Sequence, residues 1–423
     1  MNLSFLSLRQ GYGLGAILLW IGGLPAMVNA DPLTFAEALQ RAHQYAPQLQ
    51  QRQAELAGAS SARIAADALP DPKLFVGIDN LPVNGADRLS LSRDFMTMQK
   101  IGLMQDIPNA DKRRARAEEA QARMDGAAAD LYLSQTLLDS DVAEAWLNRY
   151  FLGQQLALFP ALEQENRLWA SVVQAQLASG KGAMADALMP AQEALALASR
   201  REALERDIRK ADALLTRWLG LAGDYALAGD PPPFTVEPDR LREHLQHHPV
   251  LGLYQARQAL AQAELHGAEA ARHPDWGVEL AWQQRGPAYS NMVSIQLSAD
   301  LPLFTQTRQD PLIQAKQQAI TSLDAEREDR LREHQAELAT DLADHEALTR
   351  QISRVQQEAL PLAQRRVDLL LAGYQAGRTD LGQVLAARRD WQELRLQHLS
   401  LLAQQQILAA RLHYRFALED TAP

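Results

Sequence analysis

The chain has 423 residues, enough for two or three ordinary domains or for one extended one. Charged residues make up 22 % of it and hydrophobic residues 47 %, the balance of a folded protein, and the net charge of −10 gives no footing for nucleic acid as a partner. It contains no cysteine, which excludes disulfides, thiolate catalysis, Cys-ligated zinc or iron–sulfur centres, and an acylated N-terminal Cys anchor.

Residues 1–30 read as a secretory signal peptide. Arg9 is their only charge, an apolar run from Tyr12 to Val28 follows, and Val28-Asn29-Ala30 forms a small-x-small cleavage pattern before Asp31. The competing reading is an uncleaved anchor; the shortness of the run and its ending favour cleavage. No later window is apolar for long enough to predict a transmembrane helix.

Residues 31–230 form a first structural repeat. The segment 33–69 has helical periodicity, broken at Pro47, and Pro70-Asp71-Pro72 stops it. The period then changes to two, predicting a β-hairpin over 73–107. After Pro108 a helical pattern runs to about Ser179, the Gly-containing SGKGAMAD (179–186) marks a turn near 180, and a further helix ends near Leu219. GDPPPF (229–234) is a linker.

Residues 231–423 repeat this order. The segment 238–272 is helical, with His248-Pro249 answering Ala46-Pro47, and His273-Pro274-Asp275 answers Leu69-Pro70-Asp71 at a spacing of 204. Alternating segments at 276–284 and 291–301 predict a hairpin over 276–302, followed by helix from Arg308 to Gln375. AGRTDLGQVL (376–385) answers SGKGAMADAL (179–188) at a spacing of 197, pairing Gly180 with Gly377. IGLMQDIP (101–108) and IQLSADLP (295–302) are two copies of one strand-to-helix junction, 194 residues apart.

The helices that follow the hairpins span about 65–70 residues, or roughly 100 Å, with Pro160 and Pro361 expected to kink or divide them. In the last helix Trp391, Leu394, Leu401, Leu408 and Leu412 recur at heptad-like steps, with His398 and Gln405 filling the seam, a pattern that wants a neighbouring helix. These elements predict a rod or part of a tube.

The alternating segments carry two faces. Ile101, Leu103, Trp276, Val278, Leu280, Trp282, Val293, Ile295 and Leu297 fall on an apolar side; Lys100, Asp106, Ser294, Gln296, Ser298 and Asp300 fall on a polar one. Strands of about 9–11 residues with this pattern suit a bilayer, the first set facing lipid and the second a lumen, with Asp106 and Asp300 ringing the barrel base. Two ordinary hairpins on a soluble core would alternate in the same way. Four strands cannot close a barrel, so the membrane reading requires several chains to pool their strands.

An exported, duplicated chain with one hairpin per half and very long helices resembles the TolC outer-membrane channel family, over essentially the whole mature chain. It looks most like the outer-membrane factors of heavy-metal efflux systems of the cobalt–zinc–cadmium and copper–silver type. The residues behind this are LPDPKLFVGI (69–78), DIPNADKRRARAEEAQ (106–121), HPDWGVEL (273–280), DLPLFTQTRQ (300–309) and YQAGRTDLGQVLAAR (374–388). The fold class so implied is mainly α with transmembrane β: tandem long α-hairpins making an α-barrel, and four strands per chain contributing to a trimeric, 12-stranded outer-membrane β-barrel.

The resemblance further implies a Gram-negative outer membrane, a tunnel extending into the periplasm, and no cofactor or chemistry. The implied partners are outer-membrane lipid, two further copies of the chain, a periplasmic membrane-fusion adaptor and an inner-membrane pump of the resistance–nodulation–division class. The Gly turns map onto the periplasmic tips, with Gly180, Lys181, Tyr374, Gly377 and Arg378 around the aperture. Gln383 and Ala386 stand where relatives carry two pore-narrowing acids, and Asp186 is the acid left at the equivalent place in the first repeat.

Other features read more plainly. His244, His247 and His248 are expected to be surface polar residues, and Met96, Met98 and Met104 adaptable filling. No catalytic constellation, phosphate loop or metal-ligand motif stands out, so no enzyme is expected. Alternatives are a multidrug or type I secretion duct and, in a different class, a periplasmic coiled-coil adaptor or scaffold.

Overall fold

The computed structural model describes residues 32–180, 184–220 and 225–416. The signal-peptide reading of residues 1–30 and the tip residue Lys181 lie outside the described residues. The first repeat gives α1 (Phe35–Tyr45), α2 (Pro47–Ile64), β1 (Lys73–Asp79), β2 (Met98–Ile107), α3 (Ala110–Leu156), α4 (Phe159–Ala178) and α5 (Met189–Leu219). The second gives α6 (Pro238–His244), α7 (Pro249–Ala270), β3 (Trp276–Gln284), β4 (Met292–Ala299), α8 (Gln309–Arg354), α9 (Leu360–Gln375) and α10 (Leu381–Arg415).

The helix starts follow from local chemistry. Glu37 N–H donates to Thr34 Oγ1 at 3.2 Å while Thr34 N–H donates to the Glu37 carboxylate at 2.9 Å, a capping box on α1. Pro47 and Pro249 open α2 and α7, where the missing N–H would have no helical acceptor in any case. Asn109 caps α3 and Asp380 caps α10, accepting from Lys112 N–H at 2.8 Å and Gln383 N–H at 3.0 Å.

The four strands form one antiparallel sheet in the order β1-β2-β3-β4, so the strand leaving the first repeat pairs with the strand opening the second. β2 and β3 have 10 and 9 residues, whereas β1 and β4 have 7 and 8, shorter than the expected length. The short pair are the sheet edges, where one side of the ladder has no neighbour among the described residues. Helices α2, α3, α7 and α8 lie side by side in the order of the strands they continue. Each strand and its helix therefore make one stave of a wall.

Farther from the sheet, α4 packs on α5 and α9 on α10, and α10 also contacts α3 and α8. The 47 residues of α3 and the 20 of α4 extend roughly 100 Å at 1.5 Å per residue. The two prolines divide the long helices in different ways. Before Pro160 the helix breaks between Leu156 and Phe159; before Pro361 it passes through a π-helical segment, Val355–Ala359. Core residues Leu138 and Val142 answer Leu338 and Leu342 at a spacing of 200, but Phe159-Pro160 answers Leu360-Pro361 at 201. One extra residue in the second repeat is what a π-bulge accommodates.

Two apolar cores lie midway along the helices. Leu33, Ala38, Ala42 and Leu49 pack on Leu138, Val142, Trp146 and Phe151 of α3 and on Leu215 and Leu219 of α5. Leu33 forms a parallel bridge with Leu227, so the linker and α1 wrap the same place. Leu241 and Leu245 do the equivalent work in the second repeat, against Leu338 and Leu342 of α8 and Leu408 and Leu412 of α10. The expected seam of α10 is realised by Leu408 and Leu412 in this core and by Leu401 in a separate cluster with Ile352 and Val355; all three are buried. His248 is a correction: it is 7 % exposed, because its ring stacks on His334 and meets the edge of Phe416.

Candidate functional site

The sheet has one continuous apolar face. The register sets Val76, Ile101, Trp282 and Val293 in one row and Leu74, Leu103, Leu280 and Ile295 in another. Trp276, Val278 and Leu297 share that face by alternation. Among the described residues nothing covers it: exposure runs from 42 % at Trp282 to 75 % at Val76 among its large exposed members. Among the described residues, no helix is long and apolar enough to cross a membrane.

The opposite face is polar and charge-paired. Lys100 meets Glu279 at 2.8 Å and lies 4.8 Å from the Phe75 ring centroid; Lys73 meets Asp106 at 2.7 Å. Ser294, Gln296 and Ser298 stand opposite Ala281, Glu279 and Gly277 on this face. The expected acidic ring therefore needs amending, since Lys73 neutralises Asp106, and Asp300 lies just past the end of β4, its N–H donating to the Asp275 carbonyl at 2.9 Å. The methionines of the strands follow the alternation. Met98 and Met104, with Met292, fall on the polar side.

The duplicated strand-to-helix junctions are tied to each other. Asp275, the last residue of the His-Pro-Asp motif, accepts from Asn109 N–H at 2.8 Å and from Lys112 Nζ at 2.6 Å. Asn109 Nδ2 donates to the carbonyls of Ala270 and His273 at 3.1 and 3.2 Å. The end of α7 and the start of α3 are thus fixed where both enter the sheet. The motif residues were visible in the sequence; their meeting across 166 positions was not.

At the far end, both tips turn on a glycine with positive φ, 72° at Gly180 and 69° at Gly377, a conformation that other residues adopt only with strain. Gly377 N–H donates to the Tyr374 carbonyl at 2.9 Å, and Arg378 N–H to the Gly373 carbonyl at 2.8 Å. Asp186 lies in the short turn Met184–Leu188 that leads into α5. A Cβ at Gly382 would lie 3.3 Å from Met189, so α5 and α10 start side by side. Asp186 and Gln383 are brought to the same end of the molecule; Gln383 and Arg378 are exposed.

Sequence reasoning missed the cluster just above the tip. Arg388 of α10 pairs with Glu165 of α4, lies 5.1 Å from the Trp169 ring centroid, and has its pKa pulled below the usual guanidinium range by burial. Gln392 Nε2 donates to the same carboxylate at 3.3 Å, and Tyr374 meets Trp169 edge-on at 6.4 Å. Arg388 does stand in the stretch 374–388, but no local pattern marks its carboxylate.

Residues 241–414 match the family model described as outer membrane efflux protein. This region belongs to that family. No curated protein matches the chain in sequence. Solved structures share the fold across nearly the whole length. One is CusC, at 17 % identity and a TM-score of 0.76, with 92 % of this chain and 93 % of that one covered. Another is VceC from Vibrio cholerae, at 18 % identity and 0.76, covering 90 % and 95 %. The open state of MtrE from Neisseria gonorrhoeae aligns at 14 % and 0.72, covering 90 % and 88 %. The fold expected from the sequence, an α-barrel wall joined to a share of a β-barrel, is the fold that these solved structures share with the chain.

Proposed function

We propose that the chain is the outer-membrane exit duct of a tripartite efflux system, a homotrimer reaching from the outer membrane of a Gram-negative bacterium into the periplasm. The observation that carries this reading is the uncovered apolar face of a four-stranded sheet whose edges, β1 and β4, are both unpaired. An open sheet edge in lipid leaves backbone N–H and C=O groups unsatisfied at several kcal/mol each, so copies must join edge to edge until the barrel closes. The apolar row faces lipid and the Lys100–Glu279 side faces the lumen. A periplasmic adaptor or scaffold would share the long helices but has no use for such a sheet.

The duct works passively with a periplasmic membrane-fusion adaptor at its tips and a resistance–nodulation–division pump in the inner membrane. Its cargo is heavy-metal cations. Support for the cargo lies in the phrasing of the hairpin and tip segments and in Asp186, three copies of which, with Gln383 alongside, line the aperture and favour cations. Among the described residues no group of three or more His, Asp or Glu side chains is placed to hold a metal ion, so selection falls to the pump. Deleting the gene and testing copper, silver, zinc, cobalt, cadmium and a drug panel checks the cargo. Sensitivity to one or more metals is expected, and sensitivity to drugs alone would assign the duct to multidrug efflux.

A further inference from the structure

The connection between β1 and β2 spans residues 80–97, more than twice the length of the 285–291 turn between β3 and β4. It is an ordered strap. Asp94 Oδ1 accepts from Met96 N–H at 2.7 Å and Thr97 N–H at 3.2 Å, and the fully buried Thr97 donates its hydroxyl to the Asn80 carbonyl at 3.1 Å. Leu89 N–H donates to the Pro82 carbonyl at 2.7 Å, folding the strap back on itself.

The strap leans across the neighbouring hairpin. Arg285 Nη2 donates to the Phe95 carbonyl, while its Nη1 lies 3.8 Å from the sulfur of Met292, a residue of the polar face. The same guanidinium lies 5.0 Å from the Tyr289 ring centroid. Beside it, the Ser92 carbonyl sits so close to Gly286 that any Cβ there would overlap it. Only glycine admits that approach. The segment from Ser92 to Phe95 is thereby latched over the turn by Arg285, whose guanidinium also reaches Met292 of the polar face.

The strap also exposes Val83, Leu89, Leu91 and Phe95, apolar side chains at the end of the sheet where the apolar face narrows to Ile78 beside Gln99 and Gln284. Phe95 belongs to the segment latched over the turn, and Val83, Leu89 and Leu91 stand in the same connection, beyond the rows of the apolar face. We infer that the strap is a hydrophobic outer gate, three copies of which meet over the barrel mouth and bury these side chains against one another. A ring of apolar groups across a narrow water-filled mouth blocks ions and solutes by dewetting. The duct is then closed at the cell exterior as well as at its tip, and cargo pressure from within parts the straps. This rests on the trimeric, lumen-inside reading above.

The absence of native cysteine makes the test clean. Ser298→Cys places one thiol deep on the polar face, and intact cells are treated with a bulky polyethylene-glycol maleimide. Three backgrounds are compared: the strap as it is, Arg285→Ala, and residues 83–91 replaced by Gly-Ser repeats. Labelling at least about tenfold faster in the two opened backgrounds is expected for a gate that excludes large solutes. Equal rates in all three overturn the gate. The heat-modifiable trimer on gels confirms assembly of each variant, and if Arg285→Ala fails to assemble, the strap replacement decides alone. Ala86→Cys, on the exposed strap, must itself be labelled on intact cells. If it is not, the strap is not extracellular and the outer-membrane reading falls with the gate; if it is, equal rates at Ser298→Cys refute the gate alone.

Discussion

His248 precedes Pro249 at the start of α7, and its Nδ1 accepts from Val250 N–H at 3.2 Å. Its ring lies 4.3 Å from that of His334, which in turn pairs with Glu337 at 2.9 Å. Burial, then the neighbouring His334 and Arg415, push the His248 pKa down from 6.5 to about 4. The neutral ring is the form the fold holds, so its contribution is intact above pH 6.5 and is lost as the pH falls towards about 4. Across that window the loss approaches about 3 kcal/mol per chain. Thermal unfolding followed against pH should show the native protein losing stability more steeply between pH 6.5 and 4 than His248→Gln does; parallel curves would count against the buried neutral ring. At this scale the sequence is legible where chemistry is local. The period-two alternation that sorts Leu280 from Glu279 needs only neighbours in the chain. The partner of Lys100 depends on strand register, and the burial of His248 depends on α8 and the end of α10, both far away in sequence.

At the scale of elements, the two repeats differ most where α8 passes into α9. A one-residue surplus there is absorbed by the π segment, so the residues on either side keep their places in the core. Deleting Gln356 should convert the segment to ordinary α-helix and leave folding and trimer yield close to native. Deleting Ala343, inside α8 next to the buried Leu342, would instead rotate the remainder of the helix by about 100° and carry Ile352 and Val355 off their core. Melting temperature and the amount of membrane-inserted protein distinguish the two, and equal damage from both would contradict the bulge's role. The prolines announced both interruptions in advance. Their different characters were hidden because repeat spacings drift through loops, so one added residue inside a helix looks like any other drift. Strand ends were also less legible than strand centres: β1 and β4 stop early because edge residues lack a second ladder partner.

At the scale of the whole molecule, closure of the wall was inferable from the sequence because four lipid-facing strands cannot stand alone, and the strand count limits what assembly can look like. What the sequence left open was which strands meet. Since β2 pairs with β3 across the repeat boundary, the internal pairing is a template for the joint between neighbouring chains. Moving the pair Leu103 and Leu280 by the repeat spacings of 194 and 204 sets Leu297 of one copy opposite Val76 of the next. The same shift of Ile101 and Trp282 sets Ile295 opposite Ile78, again on the apolar side. Val76→Cys combined with Leu297→Cys should therefore oxidise to a covalent trimer on denaturing gels. Pairing Leu297→Cys instead with Leu74→Cys, one step along the same face, should crosslink poorly, and the reverse preference would give a different register. A closed trimer then has six joints of one geometry around its rim, alternately backed by continuous chain and held by hydrogen bonds and lipid alone. Heat or detergent should part the cylinder at Leu297 and Val76 long before it opens between Leu103 and Leu280.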